Sequence, residues 1–479
     1  MIALGFKGLT FVYSRDLPFT VTTDVPDVYT TFRKMLEPLR DRPRPTLPTP
    51  DRLPPLPPAE CVPSQSAPFS VPSTLQDLMD ALLKPLDTTY GFRHPPRPVE
   101  TLKQQVGGEP YAHKRITYLL ENSCMTHYKE TRNGLLGEDY STRLSAWLAL
   151  GCITARQIHA YLLSFEMGST TLGKNAIGYG QGENPGTAAV RFELVWRDYM
   201  RLCARKYGKK LFEIGGFRAD DPTVPSRKNW LYINQGRTRE TLERFLAGRT
   251  GIGLIDASNR EVFHTGYTSN RARQNVASYL SAHLGIDWRL GAEWYQCLLN
   301  DYDTASNWGN WQYVSGVGND PRLGRTFNPV KQALDYDPHG AYVKTWVPEL
   351  RNVDVDGGVD GGEKGEEMLM GLFQAWRLPE QEKARLGLLG VDWVERPLTR
   401  ISFAVGRRLR DAASGSWRGS SEGTGRGRGR AGRYRGRSRS DYARGSRGRS
   451  GIKGRWRMDD LQRALPSPDE PEDEDRAEY

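Results

Sequence analysis

Helical periodicity dominates the hydrophobic pattern of residues 76–350. From Phe192 onward, apolar residues follow the i, i+3, i+4, i+7 spacing of an amphipathic helix, at positions 192, 195, 196, 199, 202 and 203. The segment Tyr267–Tyr279 begins with residues that cap helix N-termini and continues into a second apolar stripe. Glycines where such helices could end are Gly151, Gly248 and Gly285. Alternating strand patterns are scarce, so we predict a mostly α-helical domain.

The first 75 residues predict little independent structure. Leu9–Tyr13 has the pattern of a strand and Val28–Leu36 that of a short helix. One strand and one helix cannot bury a core, so we interpret 1–40 as the last piece of a larger domain. Prolines crowd 41–75 and predict an extended linker, because proline fixes φ and lacks an N–H donor. A docking site for a polyproline-binding partner is the alternative.

The C-terminal part of the sequence changes character twice. Residues 351–415 are mixed, with a predicted flexible loop at Asp354–Gly365 and a predicted helix at Glu366–Trp376. Residues 416–457 are Arg-Gly repeats, and 458–479 are acidic. Both stretches are too poor in apolar residues to bury a core, so we expect them to be disordered.

The formal net charge of +10 is unevenly distributed along the sequence, because the basic stretch of this tail makes the largest positive contribution and the acidic stretch opposes it. Residues 418–457 carry 13 arginines and one lysine against two acids, whereas 458–479 carry nine acids against two arginines. We therefore expect the basic stretch to attract single-stranded DNA or RNA, since arginines contact phosphates and aromatic rings stack on unpaired bases. The rings within or beside this stretch are Trp417, Tyr434, Tyr442 and Trp456. A solvated tail without a dedicated ligand is the alternative.

Several chemistries lack support in the sequence. Five cysteines form no CxxC pair and seven histidines show no HxxxH or HExxH spacing, so we predict neither a disulfide framework nor a metal site. No apolar run approaches the length of a membrane span, and we expect an intracellular monomer without a specified compartment. Gly248–Gly253 lacks the lysine of a phosphate-binding P-loop. Asp301 and Asp303 could serve acid–base hydrolysis, which we treat as a minor alternative.

Four segments together resemble the photolyase/cryptochrome flavoproteins. They are Tyr128–Gly151, Phe192–Tyr199, Thr265–Ser278 and Asp301–Gly318, in that order. Within them the motifs YKETRNG, WRDY, NRARQNVAS and WGNWQY resemble the cryptochrome DASH branch. The resemblance covers roughly 1–350. It implies an all-helical FAD-binding domain of photolyase type at 76–350, preceded by a remnant of an α/β antenna domain at 1–40.

The resemblance implies two chromophores in the family, FAD and 5,10-methenyltetrahydrofolate. The folate lies between the antenna and helical domains, and most of the antenna domain is absent from this sequence, which argues against folate binding here. The FAD diphosphate would contact Tyr128 and a turn that comprises Ser141, Thr142, Arg143, Leu144 and Ser145. Backbone N–H groups and hydroxyls at a helix start suit a diphosphate. From sequence alone, Ser141 could equally be a plain N-cap.

Further residues resemble those around the isoalloxazine ring. Arg273 with Asp301 resembles the buried ion pair beside it, and Asp303 resembles a residue near the ribose and isoalloxazine. Asn307 resembles the residue that faces flavin N5, where an amide accepts the hydrogen bond of the N5 proton. Without the resemblance, Asn307 would be interpreted as a turn residue.

Three tryptophans resemble the chain of indoles that carries an electron from solvent to the excited flavin. They are Trp311, Trp288 and Trp230. Core packing is the alternative, because the sequence contains 12 tryptophans and most buried indoles simply fill space.

A second set of residues resembles the substrate contacts of the family. Glu193 resembles the acid that binds a pyrimidine of the lesion, Trp196 the indole stacked on it, and Asn270 a polar contact. Tyr313 stands where duplex photolyases have tryptophan. Asn270 and Gln274 stand where (6-4) repair enzymes carry histidines, which disfavours (6-4) repair. For Glu193, an i,i+4 pair with Arg197 on the helix surface is the alternative.

These features predict a blue-light flavoprotein of the cryptochrome DASH type. Light-driven repair of cyclobutane pyrimidine dimers in single-stranded DNA is one expected function, since extruding a base is least costly from an unpaired strand. A signalling photoreceptor, or a nucleic-acid-binding regulator without repair, is the alternative. A chain that no longer binds flavin is a third possibility.

Overall fold

The computed structural model describes about 70% of the chain. The described residues are 10–20, 23–48, 51–52, 54–61, 72–81, 106–220, 230–320, 322, 326–355 and 362–402. Over these ranges the structure is helical and contains no extended strand, and the β contact found there is an isolated parallel bridge between Leu231 and Ile286. The prediction of a mostly α fold is confirmed. The basic stretch and the acidic tail, predicted to be disordered, lie outside the described residues.

Sixteen helices are labelled here in chain order. They are α1 (Tyr29–Leu36), α2 (Glu109–Glu121), α3 (Cys124–Thr131), α4 (Ser145–Ala149), α5 (Ala155–Met167), α6 (Pro185–Tyr207), α7 (Thr238–Leu246), α8 (Gly253–Thr265), α9 (Asn270–Ser278), α10 (Trp288–Leu298), α11 (Thr304–Ser315), α12 (Pro329–Tyr336), α13 (Ala341–Trp346), α14 (Gly362–Phe373), α15 (Glu380–Arg385) and α16 (Asp392–Glu395). A π-helical turn, Tyr279–His283, follows α9 directly.

Local sequence explains where the central helices begin and end. Asn184 caps α6 by accepting hydrogen bonds from the N–H groups of Gly186 and Thr187, and Pro185 occupies the first turn. Ser269 caps α9 through the N–H of Ala272. The three predicted stop glycines lie just beyond helical segments with positive φ angles, at Gly151 (75°), Gly248 (60°) and Gly285 (66°).

The predicted strand at Leu9–Tyr13 is wrong over the residues that the structure describes. Residues 10–13 form an irregular segment whose backbone N–H groups, at Phe11 and Val12, donate to the carboxylate of Asp198 at 3.1 and 3.0 Å. Both side chains are buried against α5 and α6. This short apolar run is held in place by the carboxylate of Asp198 on α6 and not by a neighbouring strand. Hydrophobic periodicity alone cannot distinguish such a run from a strand.

The buried histidine His159, which packs against this segment, makes the stability of the protein depend on pH. Its Nδ1 accepts a hydrogen bond from Arg191 (3.2 Å) and its ring packs edge-on against Phe11. Burial, followed by the nearby charge of Arg191, lowers the pKa of His159 from 6.5 to about 4. Because the folded pKa lies below the unfolded one, the stabilisation is present above pH 6.5 and is lost as the pH falls towards 4.

We therefore expect the urea midpoint of the wild type to fall between pH 6.5 and 4 more steeply than that of His159→Gln. At about 1.4 kcal/mol per pKa unit, the difference in unfolding free energy reaches roughly 3 kcal/mol at the acid end. Glu166 and Glu183, which pair with Arg191, are present in both proteins, so the comparison isolates the effect of His159. Equal slopes in the two proteins would contradict this assignment.

Two hydrophobic cores hold the helices. The first includes residues of α1–α3, α5–α7, α10 and α11, and the second is built mainly from α12–α14 with residues of α8 and α9. The helix predicted at Glu366–Trp376 is observed over Gly362–Phe373, so it begins four residues earlier and takes over the end of the predicted loop. Among the described helices, none is both long enough and apolar enough to cross a membrane.

Candidate functional site

A cavity of about 290 Å³ opens among α3, the turn before α4, α6 and α9–α11. Its lining contains every residue predicted to bind the cofactor, namely Tyr128, Ser141, Thr142, Arg143, Leu144, Ser145, Arg273, Asp301, Asp303 and Asn307. Residues separated by up to 179 positions in the sequence are thus brought to one cavity. Over the residues that the structure describes, no cluster of His, Cys, Asp and Glu side chains could hold a metal ion.

The turn at residues 141–145 is held in an unusual backbone conformation. Arg143 has a φ of 52°, in the left-handed region that side-chain-bearing residues rarely occupy. Arg115 fixes the turn from outside by donating to the carbonyl oxygens of Ser141 and Thr142. The N-cap interpretation of Ser141 is wrong, because α4 begins at Ser145 and Leu144 precedes it.

Tyr267 is a residue of this cavity that the sequence analysis missed. Its hydroxyl lies 3.2 Å from the hydroxyl of Ser141, and the guanidinium of Arg143 lies 4.6 Å from its ring centroid. The guanidinium of Arg273 lies 5.6 Å from the same centroid. Tyr267 therefore connects the turn to α9 through contacts that no periodicity reveals. Its place two residues before the helix cap Ser269, within the segment Thr265–Ser278, was the available signal.

Arg273 and Asp301 form the predicted ion pair. Two parallel hydrogen bonds of 3.1 and 2.9 Å join the guanidinium to the carboxylate, whose side chain is 4% exposed. Arg273 also donates to the carbonyl oxygen of Thr268 (2.9 Å). Such a bidentate pair fixes the orientation of both side chains at the cavity wall.

Asp303 and Asn307 are positioned by α11. Asp303 caps this helix by accepting from the N–H of Ser306 (2.9 Å), and it pairs with Arg201 at 2.7 Å. Burial opposes ionisation, but Arg201 and the cap outweigh it and lower the pKa of Asp303. Asn307 lies within α11, so the turn interpretation is wrong. Its amide nitrogen donates to the carbonyl oxygen of Ala292 (2.9 Å), which leaves the amide oxygen as the acceptor for a ligand.

The same cavity is also lined by three of the predicted substrate residues, Glu193, Trp196 and Asn270. Glu193 pairs with Arg132 of the α3 C-terminus at 2.5 Å, and Arg197 instead donates to the carbonyl oxygen of Leu148. The interpretation of Glu193 as a surface partner of Arg197 is therefore wrong. Burial raises the pKa of Glu193 despite the opposing charge of Arg132. Arg132 lines the cavity and was also missed.

Trp196 is enclosed by aromatic and amide groups. Its indole N–H donates to Asn310 (3.2 Å), and its ring contacts Tyr29 and Tyr313 edge-on at centroid distances of 4.6 and 5.3 Å. Tyr313 thus supports Trp196 and does not line the cavity itself, whereas the exposed Asn270 does.

The three predicted electron carriers occupy different positions. Trp311 lines the cavity and contacts Tyr295 edge-on, whereas Trp288 is fully buried and donates its N–H to the carbonyl oxygen of Ile214. Trp230 lies in a separate cleft, and the bridge between its neighbour Leu231 and Ile286 places it beside the start of α10. All three are buried, so they also serve the core.

The cavity fits a flavin dinucleotide on its own chemistry. Its lining combines hydroxyl groups and an arginine of one turn with an amide acceptor and an ion pair. The buried hydroxyl of Tyr295, on the cavity wall, has no hydrogen-bond partner among the residues described and is available to a ligand. The family model described as the FAD binding domain of DNA photolyase matches residues 190–382. Fold and cavity together define a photolyase-type FAD-binding domain.

Comparison with individual proteins identifies the family within this class. The chain is 48% identical over 410 residues to the putative mitochondrial cryptochrome DASH of Neurospora crassa, covering 82% of this chain and 53% of that protein. It is 38% identical over 410 residues to cryptochrome DASH of Synechocystis sp., covering 85% and 72% respectively. The crystal structure of the Synechocystis sp. cryptochrome superposes with a TM-score of 0.58 at 34% identity, covering 85% of this chain and 71% of that one. The chain belongs to the cryptochrome DASH family, and it spans about half the length of the Neurospora relative.

Proposed function

We propose that this protein is a blue-light-absorbing flavoprotein that binds FAD in the cavity and splits cyclobutane pyrimidine dimers in single-stranded DNA. The observation that carries the proposal is that both predicted residue sets line one cavity, the cofactor residues Asn307, Arg273 and Asp301 and the substrate residues Glu193, Trp196 and Asn270. Bound reduced FAD would supply the photochemical electron donation, while the protein supplies position and polarity.

The chain's own residues have distinct tasks on the cofactor side. The hydroxyl groups of Ser141 and Thr142 and the guanidinium of Arg143 suit the negative charge of a diphosphate. The amide oxygen of Asn307, oriented by the hydrogen bond from its amide nitrogen to Ala292, would accept the N–H of a reduced flavin ring without adding a charge. The Arg273–Asp301 pair would place the positive charge of an arginine where it can stabilise an anionic ring.

The predicted substrate residues in the cavity suit an extruded pyrimidine pair. Trp196 offers a fixed ring for stacking, since its N–H is bound to Asn310 and its edges are supported by two tyrosines. Glu193, whose pKa is raised by burial, would bind the polar edge of a base, and the ion pair with Arg132 holds its carboxylate in place. Because extrusion from a duplex costs a few kcal/mol, an unpaired strand is the favoured substrate.

The basic stretch at 416–457 is proposed to bind nucleic acid. Its arginines contact phosphates irrespective of sequence, so RNA and single-stranded DNA would both bind. This attraction should weaken steeply as the salt concentration rises.

A repair assay with matched variants tests the proposal. Purified protein should be yellow with FAD and, under blue light, should restore a single-stranded oligonucleotide that contains one dimer. Glu193→Gln should keep the flavin spectrum but weaken binding of the dimer by about 1.5–3 kcal/mol, the range for a hydrogen bond to a charged group. Glu240→Gln, which alters an exposed pair with Arg237, is the control and should match the wild type.

Other outcomes separate the alternatives. Folded protein without flavin absorbance would defeat the proposal entirely. Photoreduction of flavin without repaired product would favour the signalling photoreceptor. Deleting 416–457 should leave the flavin spectrum unchanged and lower affinity for undamaged single strands. Unchanged affinity after this deletion would refute the role of the basic stretch.

A further inference from the structure

Trp288 has a close aromatic neighbour outside the predicted chain of indoles. Its ring packs edge-on against Trp308, with centroids 5.7 Å apart and planes at 79°. Trp308 lies on α11 directly after Asn307 and one helical turn before Trp311. The indole of Trp308 therefore lies near both inner members of the predicted chain.

Trp308 also lies one layer below the protein surface. Its indole N–H donates to the side-chain oxygen of Gln296, an exposed residue of α10, at 3.0 Å. The same oxygen accepts a hydrogen bond from the hydroxyl of Tyr302 (2.9 Å). The other edge of the indole packs against Phe212, which is 46% exposed. By contrast, Trp288 is fully buried.

Three other tryptophans, one at the cavity and two in the second core, have no comparable arrangement. Trp196 is hydrogen-bonded to Asn310 within the cavity, and Trp346 and Trp393 pack in the second core. Of the tryptophans described in the structure, Trp308 is the one whose ring touches Trp288 and whose N–H reaches an exposed side chain.

We propose that Trp308 is a second outward electron carrier, which branches from Trp288 in parallel with Trp230. This inference rests on the proposed photochemistry and adds a residue to it. Once bound, photoexcited, oxidised FAD has taken one electron from Trp311 and Trp311 has regained one from Trp288, Trp308 would give one electron to Trp288 and become a radical cation. It then loses its Nε1 proton to water beside Gln296 and becomes a neutral radical. A soluble thiol returns one hydrogen atom, that is one electron and one proton, and becomes a thiyl radical.

Edge-to-face contact favours this branch, because the atoms of the two rings meet without an intervening side chain. The hydrogen bond to the Gln296 oxygen stabilises the positive charge that develops on the indole N–H during oxidation. Deprotonation near the surface then makes the charge separation long-lived. The neutral radical is a weaker oxidant than the radical cation, so the electron returns from the flavin more slowly until the indole is protonated again.

Flash photolysis of the FAD-loaded full chain tests the branch through the absorbance of the indole radicals, not through repair. Trp308→Phe should lose a large part of the long-lived neutral tryptophan radical, Trp230→Phe should lose another part, and the double variant should lose nearly all of it. Trp393→Phe is the matched control, since it removes a buried indole of the second core and should leave the radical yield unchanged. Circular dichroism would verify that each variant is folded.

A variant of an exposed residue gives a second measurement that does not perturb the core. Gln296→Ala removes the acceptor and exposes the N–H of Trp308 to water, so the radical cation should convert to the neutral radical faster. Equal radical yields in Trp308→Phe and Trp393→Phe, or an unchanged conversion rate in Gln296→Ala, would overturn the branch while leaving the proposed function intact. A wild-type protein that binds FAD and yields no indole radical would overturn both.

Discussion

Asp301→Ala is expected to abolish retention of FAD and to lower the free energy of unfolding by about 3–5 kcal/mol, the usual cost of removing one partner of a buried ion pair. The side chain of Asp301 is 4% exposed and forms two hydrogen bonds with Arg273. Its loss leaves the Arg273 charge at the cavity wall without its bidentate partner. Urea unfolding of the protein as purified and the ratio of flavin to protein absorbance would measure the two effects.

An exposed pair of the same chemistry provides the control for Asp301→Ala. Glu240 forms a bidentate pair with Arg237 on the surface of α7, and both side chains are largely solvated. Glu240→Ala should therefore change stability little and leave the flavin bound. Retention of FAD at the wild-type ratio in Asp301→Ala would show that the pair does not support the flavin ring.

Gly186→Ala should have the second large effect, because α3 and α6 meet at this residue. A Cβ atom at position 186 would overlap the carbonyl oxygens of Met125 and Thr126. These are backbone atoms within α3, so they cannot rotate away as a side chain would. Overpacking typically costs 1–3 kcal/mol and occasionally more, and we expect about 3 kcal/mol here. The cavity should widen as well, since α3 carries Tyr128 and α6 carries Glu193.

Gly309→Ala separates this clash from the general effect of adding a methyl group to a helix. Gly309 is also buried in a helix, but the atom that its Cβ would meet first belongs to the flexible side chain of Met200. Alanine is favoured over glycine in helices by roughly 1 kcal/mol, and both variants gain this term. The midpoint of thermal unfolding of Gly186→Ala should thus be well below that of Gly309→Ala. Equal midpoints would contradict the backbone clash.

The helical class and the main helix positions could be predicted from the sequence because they depend on local patterns. The stripe that begins at Phe192 indicates α6 from its own residues alone. The conformation of the segment around Phe11 cannot be predicted in this way, since it is set by Asp198, 187 positions away. An apolar run anchored by a distant carboxylate has no distinctive spacing, and it was mistaken for a strand.

The site could be predicted only through resemblance to a family. Spacing gave Asn307 as a turn residue, yet the structure places it inside α11, because Asp303 rather than Asn307 caps that helix. The partners of Glu193 and Trp196, namely Arg132 and Asn310, lie on other helices and depend on how α3 and α11 pack against α6. Trp308 was hidden for the same reason, as its contacts with Trp288 and Gln296 come from α10.

The contact between Tyr29 and Trp196 has a consequence for protein engineering. Tyr29 belongs to α1, in the N-terminal segment, and its hydroxyl donates to the carbonyl oxygen of Phe192 while its ring supports the indole. A chimera that exchanged the first 40 residues for those of a homologue would therefore also replace part of the support for the Trp196 ring. We expect such an exchange to change the shape of the cavity where Trp196 lines it.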